Sequence, residues 1–221
     1  MAEDTTFELT LERIALIRRM AVAWDGTESG APIIHPDAPY GSTDRDGDIE
    51  NVTGDDEGLD EEHRALGDAL EVFVQNAVLR PGRYQYHNPL AKLAPSEVFD
   101  LFRDEVTGET PEQISFEVTP EHLKLIPNLA LRWDDENDVP GVDPKRPYGA
   151  MTWYTVEMAV HLGEAPPKDD EGRAILSDEQ EERLMRLHRE MQPVLQIFLR
   201  SADLAPGMFR QPAGTIGWEP V

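Results

Sequence analysis

The chain of 221 residues contains no cysteine and only four lysines, and it has no long apolar run. The absence of cysteine excludes disulfides, thiolate nucleophiles and metal sites with thiolate ligands. A membrane-spanning helix needs about 20 mostly apolar residues, and no stretch of the sequence offers them. The acidic first residues have neither the basic nor the apolar region of a signal peptide, so we expect a cytoplasmic protein.

Basic residues are scarce and acidic residues abundant. Asp and Glu number 44 against 20 Lys and Arg, which gives a formal net charge of −24. Because nucleic acids and anionic membranes are bound through basic surfaces, this charge argues against both as partners. Three interpretations of the acid excess stay open: adaptation to a salty cytoplasm, solubility of a protein from a GC-biased genome, or a surface that meets a basic partner.

Two parts of the sequence resemble each other in the same order. Residues 7–25 and 116–134 share nine of nineteen positions. Pro-Tyr-Gly and Pro-Gly turn signals recur after both segments. We therefore expect an internal duplication, with one repeat unit at residues 7–88, a linker with a helix at 89–115 and a second unit at 116–221.

Each unit is predicted to begin with a helix. Thr10 is a plausible N-cap in the first unit, and Thr119 followed by Pro120 is its counterpart in the second. Ile14, Ile17 and Ala21 recur at helical spacing, which favours a helix that includes all three. In the second unit Pro127 should kink or delay the helix, since proline disfavours a helix interior.

A turn-rich loop, a shorter helix and a long helix complete each predicted unit. The long helix of the second unit starts at a capping box of Ser177 and Gln180. Its apolar stripe consists of Leu184, Leu187, Met191, Leu195, Phe198 and Ala202. The sequence thus predicts an all-α, mainly helical fold, in which two similar lobes of roughly three helices pack through such stripes.

The nearest approach to a metal motif lies at residues 42–53. Asp44 and Asp46 match ligand positions of an EF-hand loop, but Ser42 and Thr53 stand where that loop needs acidic ligands. A solvated acidic loop is therefore favoured over a calcium site, although both interpretations stay open. Histidines 63 and 188 lie beside apolar stripes and are interpreted as core or boundary residues. No nucleophile, phosphate-binding or dinucleotide motif is present, so we predict neither an enzyme nor a cofactor nor a metal site.

One loop and three further segments carry a family resemblance. The run Asp143-Pro144-Lys145-Arg146-Pro147-Tyr148-Gly149, after Trp133-Asp134, resembles a family of small acidic uncharacterised bacterial proteins. That family also has an E-x-T-x-E-H-L-K-L-type helix, matched from Thr119, an L-H-x-E-type long helix, matched at 187–190, and a P-G-x-[YF] tail, matched at 206–209. The resemblance brings no established activity, and by analogy such proteins are similar to immunity proteins that neutralise a toxin.

These observations favour a non-enzymatic protein-binding module, immunity-like or antitoxin-like, whose acidic surface covers a basic, toxin-like partner. Between residues 44 and 62 there are ten acids and one base. The predicted partner-binding residues are Asp44, Asp46, Asp48, Asp55, Asp56, Asp134, Asp135 and Glu136. Two alternatives remain: a small-ligand binder or enzyme with a site between the lobes, and an acidic mimic of nucleic acid.

Overall fold

A computed structural model describes residues 4–24, 32–35, 56–88, 111–128, 131–134, 139–142, 158–160, 162–215 and 217–221. Its elements are, in chain order, β1 (Thr5–Leu9), α1 (Leu11–Ile17), β2 (Ala21–Trp24), β3 (Pro32–His35), α2 (Asp56–Asn76), β4 (Gly82–His87), β5 (Gln113–Val118), α3 (Pro120–Leu125), β6 (Leu131–Asp134), β7 (Val139–Val142), α4 (Asp178–Ser201), β8 (Gly207–Gln211) and β9 (Glu219–Pro220). A 3-10 turn at Ile126–Asn128 follows α3.

The prediction of an all-α fold is wrong, because antiparallel strand pairs stand beside the helices. β8 lies between β1 and β9 in one three-stranded sheet, while β2–β3, β4–β5 and β6–β7 form two-stranded ribbons. The fold is therefore α plus β. The segments that follow the two long helices form β4 and β8, and each of these strands is paired with another strand.

The prediction of duplicated three-helix lobes is also wrong. The order strand, helix, two strands, long helix, strand occurs from β1 to β4 and again from β5 to β8. However, the two halves exchange strands. Leu9 of β1 lies opposite Gly207 of β8, and Val118 of β5 lies opposite Gly82 of β4. A β-bridge between Val78 and Asp203 links the halves again. Separate lobes packed only through helix stripes cannot account for this pairing.

The helix caps agree with the predictions, although the first helix is shorter. Thr10 Oγ1 accepts the Arg13 N–H at 3.2 Å, and α1 ends at Ile17. Ala21, expected in that helix, belongs to β2. In the second half α3 ends at Leu125, and Pro127 lies in the 3-10 turn, as a helix-disfavouring residue should.

The two long helices, α2 and α4, contribute many of the buried apolar residues of the core. All six residues of the predicted α4 stripe are buried, which confirms that interpretation. On α2, Leu66, Leu70 and Phe73 are buried as well. The Phe73 and Phe198 rings meet edge-on with centroids 6.0 Å apart, so the helices share one apolar cluster.

Several sequence predictions fall outside the described residues. These are the linker helix within 89–115, the loop at 42–53 and most of the shorter helix near 153–161, of which only 158–160 are described, as helix. The repeat-unit boundaries at 7–88 and 116–221 stay a prediction. Among the described helices, none combines the length and apolar character that crossing a bilayer requires.

Candidate functional site

An open cleft of about 310 Å³ lies where β5, the start of α3 and the middle of α4 meet. Three carboxylates, one guanidinium and one aromatic ring are among its lining groups. The lining residues are Phe116, Glu117, Thr119, Glu121, His122, Arg186, Leu187 and Glu190. We call this site the β5–α3–α4 cleft.

The local sequence fixes the corner between β5 and α3. Thr119 Oγ1 accepts the His122 N–H at 3.3 Å, while His122 Nδ1 accepts the Thr119 N–H at 3.1 Å. This reciprocal pair is a capping box in which histidine takes the place usually held by Glu or Gln. Pro120 supplies a first-turn backbone angle that is already helical. The cap therefore turns the His122 ring inward from the first turn of α3.

The other nitrogen of His122 reaches across to α4. His122 Nε2 lies 2.9 Å from Glu190 Oε2. Since Nδ1 accepts a backbone N–H, the proton of the neutral ring lies on Nε2, which donates to the Glu190 carboxylate. The His122 residue is only 1% exposed, whereas the Glu190 side chain is 30% exposed. A buried imidazole thus holds a carboxylate that faces the cleft.

This geometry makes His122 a positioning residue for Glu190. A general base or a metal ligand needs a ring nitrogen with a free lone pair. In His122, Nδ1 is used by the helix cap and Nε2 by Glu190. Over the ranges that the structure describes, no group of three or more His, Asp or Glu side chains is arranged to hold a metal ion.

Arg183 stabilises the acidic rim of the cleft. Its Nη2 donates to Glu121 Oε1 at 2.7 Å, and its Nη1 donates to Glu164 Oε1 at 2.6 Å. Hydrogen bonds to Glu164 and Glu121 raise the pKa of the Arg183 guanidinium above its ordinary value. Arg183 therefore ties α3 and the segment before α4 to α4 itself, while it neutralises part of the charge on Glu121.

Phe116 and Leu187 form the apolar part of the cleft lining. Phe116 is partly exposed, and its ring centroid lies 5.9 Å from that of His122, with the planes tilted by 40°. Leu187 is buried on the α4 side. Carboxylates beside an aromatic and an aliphatic side chain suit a cation with an apolar stem, because the charge meets carboxylate oxygens while the stem contacts the apolar side chains.

Most of the predicted partner-binding residues lie outside the described residues. Asp44, Asp46, Asp48, Asp55, Asp135 and Glu136 lie outside the described residues. Asp56 is the first residue of α2 and Asp134 the last of β6, and only their backbones are described. The predicted acidic surface therefore stays a prediction.

The histidine predictions have different outcomes. His188 is 3% exposed on α4, which confirms its interpretation as a core residue. His63 lies on α2 with only its backbone described. The possible calcium loop at 42–53 and the neighbouring pair Glu157 and His161 lie outside the described residues.

The sequence analysis does not predict the cleft, although two segments that it describes contain six of the lining residues. Glu117, Thr119, Glu121 and His122 belong to the E-x-T-x-E-H-L-K-L segment, and Leu187 and Glu190 belong to the L-H-x-E segment. Both segments resemble the family of small acidic proteins, and the sequence predicts only that they form helices. Their meeting in one cleft is a tertiary contact that neither segment reveals alone.

Comparison of the chain with protein families, with curated proteins and with solved structures finds no match.

Proposed function

We propose that the chain is a non-enzymatic protein-binding module, immunity-like or antitoxin-like, that covers a basic surface of its partner and takes one basic side chain into the β5–α3–α4 cleft. We propose that the protein binds this partner in the cytoplasm. The observation that carries it is the carboxylate of Glu190, held at the cleft by a buried histidine 2.9 Å away.

A fixed carboxylate supports recognition because its orientation is settled before a ligand arrives. Glu190 Oε2 is held by His122, and the side chain remains partly open to solvent. A guanidinium or ammonium that enters the cleft makes a charge-assisted hydrogen bond to a group that loses little further freedom. Phe116 also lines the cleft, so the apolar stem of the entering side chain meets an aromatic residue there.

The overall charge supports the same partner. A net charge of −24 attracts a basic protein over the screening distance of about 8 Å at physiological ionic strength. The same charge repels phosphate groups, so it does not favour nucleic acid as the ligand. Charge over the whole surface speeds the encounter, while the cleft selects the side chain that enters.

The cleft is tested by titrating the full chain with N-acetyl-arginine amide and following backbone amides by NMR. We expect saturable shifts at Phe116, His122 and Leu187. N-acetyl-citrulline amide is the matched probe, since it keeps the shape and loses the charge, and it should produce no saturable shifts. Glu190→Gln should weaken arginine binding by about tenfold, the lower range for a charge-assisted hydrogen bond.

Glu182→Gln is the matched control, because Glu182 is an exposed acid on the same helix and lies outside the cleft. It should leave the titration unchanged. Equal shifts with arginine and citrulline, or equal weakening by both variants, would show that the cleft does not recognise a cation.

The predicted acidic stretch is tested separately, by neutralising Asp44, Asp46, Asp48, Asp55 and Asp56 together. The variant should fold and should associate more slowly than the parent with a labelled deca-arginine peptide at low salt, with the difference shrinking as salt rises. Unchanged association rates at both salt concentrations would mean that the stretch is merely solvated.

A further inference from the structure

Arg186 brings a positive charge to the lining of the β5–α3–α4 cleft. Its side chain lies on α4 and is exposed to solvent. Within the part of the chain that the structure describes, the Arg186 guanidinium forms no ion pair. Arg183, three residues earlier on the same helix, is by contrast bound to two carboxylates. In a chain of net charge −24, an arginine without an acidic partner at a cleft is open to an anionic group from another molecule.

Glu190 follows Arg186 by four residues on α4. Residues at that spacing lie on one face of a helix, but a base that precedes an acid is the less favourable order for an ion pair. In addition, His122 Nε2 holds Glu190 Oε2 at 2.9 Å. Both Arg186 and Glu190 line the cleft, so they offer opposite charges to it without cancelling each other.

The spacing of these two charges suits one basic residue that also has a free carboxylate. Four residues of helix rise by about 6 Å. In an arginine at a chain end, the α-carbon and three methylenes separate the carboxylate from the guanidinium, and an extended side chain of this length spans that rise. Phe116 and Leu187 supply apolar surface for the methylenes. The cleft volume of about 310 Å³ accommodates a ligand of this size.

We propose that the basic residue taken into the cleft is the carboxyl-terminal residue of the partner protein, with its side-chain cation on Glu190 and its terminal carboxylate on Arg186. This inference rests on the proposed function, which it narrows from any exposed basic residue to one at a chain end. The planar guanidinium of Arg186 matches a carboxylate with two parallel hydrogen bonds. An internal basic residue has no carboxylate at that place, so the cleft prefers the chain end.

The acidic surface of the chain opposes the second contact only weakly. Exposed charges farther away than about 8 Å are largely screened at physiological ionic strength, whereas a guanidinium and a carboxylate in direct contact are not. Within the cleft, Glu121 is already bound to Arg183 and Glu190 to His122. Direct contact with Arg186 therefore decides where the ligand carboxylate binds.

The experiment titrates the full chain with N-acetyl-arginine, which has a free carboxylate, and with N-acetyl-arginine amide, which has none. Backbone amide shifts of Phe116 and Leu187 at physiological ionic strength give both dissociation constants. We expect N-acetyl-arginine to bind about tenfold more tightly, the lower range for a hydrogen bond between charged groups. Free arginine should bind no more tightly than N-acetyl-arginine, because a chain end has an amide where the free amino acid has an ammonium.

Arg186→Gln should bring the two dissociation constants together, since the partner of the carboxylate is lost. Arg189→Gln is the matched control, because Arg189 is exposed on the same helix and does not line the cleft. It removes the same charge from the chain and should keep the tenfold preference. Glu190→Gln should weaken the binding of both ligands.

Equal binding of N-acetyl-arginine and its amide by the parent chain would overturn the inference and leave the proposed function intact. A tenfold preference that survives Arg186→Gln would do the same, because the carboxylate would then bind elsewhere. Tighter binding of free arginine than of N-acetyl-arginine would also overturn it, since the ligand would be the amino acid and not a chain end. If neither N-acetyl-arginine nor its amide binds, the proposed function itself is refuted, and the inference with it.

Discussion

Gln196 on α4 provides the sharpest test of how the strands attach to the core. The residue is 2% exposed. Its Oε1 accepts the Val22 N–H at 2.8 Å, and its Nε2 donates to the Met20 carbonyl at 2.9 Å. One amide thus satisfies two backbone groups of the β2 segment, and we consider the exchange Gln196→Leu.

The expected loss of stability depends on the backbone groups that Gln196→Leu leaves without a hydrogen-bond partner. Leucine has nearly the volume of glutamine, so little cavity forms, and it adds apolar surface to the core. However, the buried Val22 N–H and Met20 C=O lose their partners. Each unsatisfied buried backbone group costs about 1–3 kcal/mol, so we expect Gln196→Leu to lower the free energy of unfolding by about 2–4 kcal/mol after the apolar gain.

Urea unfolding followed by circular dichroism measures that difference, and hydrogen exchange at the Val22 amide locates it. Protection of the Val22 amide should fall in the variant. The same exchange at the exposed Gln85 on β4 should change the free energy by no more than about 0.5 kcal/mol. If Gln196→Leu falls within that limit and Val22 stays protected, β2 does not depend on α4 for its stability.

Three further predictions follow from the same contacts. Leu195→Ala, at a residue 1% exposed, should cost about 2–5 kcal/mol in urea unfolding, and a loss below about 0.5 kcal/mol would place the residue at the surface. Arg183→Met should lower the free energy of unfolding by about 1 kcal/mol. A double-mutant cycle with Glu164 should show how much of that loss comes from the Arg183–Glu164 ion pair. Hydrogen bonds from the Arg173 backbone and side chain hold the pKa of Asp169 below its ordinary value, so the turn at 168–174 should lose order as the pH falls through that lowered pKa. Amide shifts followed by NMR should show this loss, and Asp169→Asn should abolish it.

Local signals in the sequence predicted the helices well. The apolar stripe of α4 and the capping box of Ser177 and Gln180 are both present in the structure. The Thr10 and Thr119 caps are present too. Caps and stripes depend on residues within two turns of each other, so the sequence contains all that is needed to infer them.

The strands are harder to predict than the helices, for two different reasons. β5 alternates between exposed and buried residues, with Ile114 and Val118 inward, a period-two pattern that indicates a strand and that the all-helical prediction leaves out. β2 is a four-residue apolar run that three residues separate from α1, and periodicity cannot distinguish such a run from a further helical turn. Strand pairing also joins residues far apart, as in Leu9 with Gly207, and no local pattern specifies that partner.

The cleft was beyond local reasoning for a related reason. His122 and Glu190 are separated by 68 positions, and their contact requires α3 to pack against α4. The two buried glutamines of α4, Gln192 and Gln196, pose the same difficulty, since a polar residue in a helix is expected at the surface unless its partner is known. Their partners are backbone groups of Val22 in β2 and of Met20 just before it, on either side of Ala21, which the sequence places in a helix.

The chain has 44 acidic residues, and Glu190 differs from a surface acid because its carboxylate is held in one position at the cleft. A charge that only steers a partner acts through solvent over several ångströms, so moving it along the surface changes little. Glu190 is held by a hydrogen bond from a residue 1% exposed, and its carboxylate cannot be relocated without losing the cleft. The two kinds of acid should therefore affect binding differently. Neutralising surface acids should slow association, whereas Glu190→Gln should speed dissociation, because a contact made only in the complex is then lost.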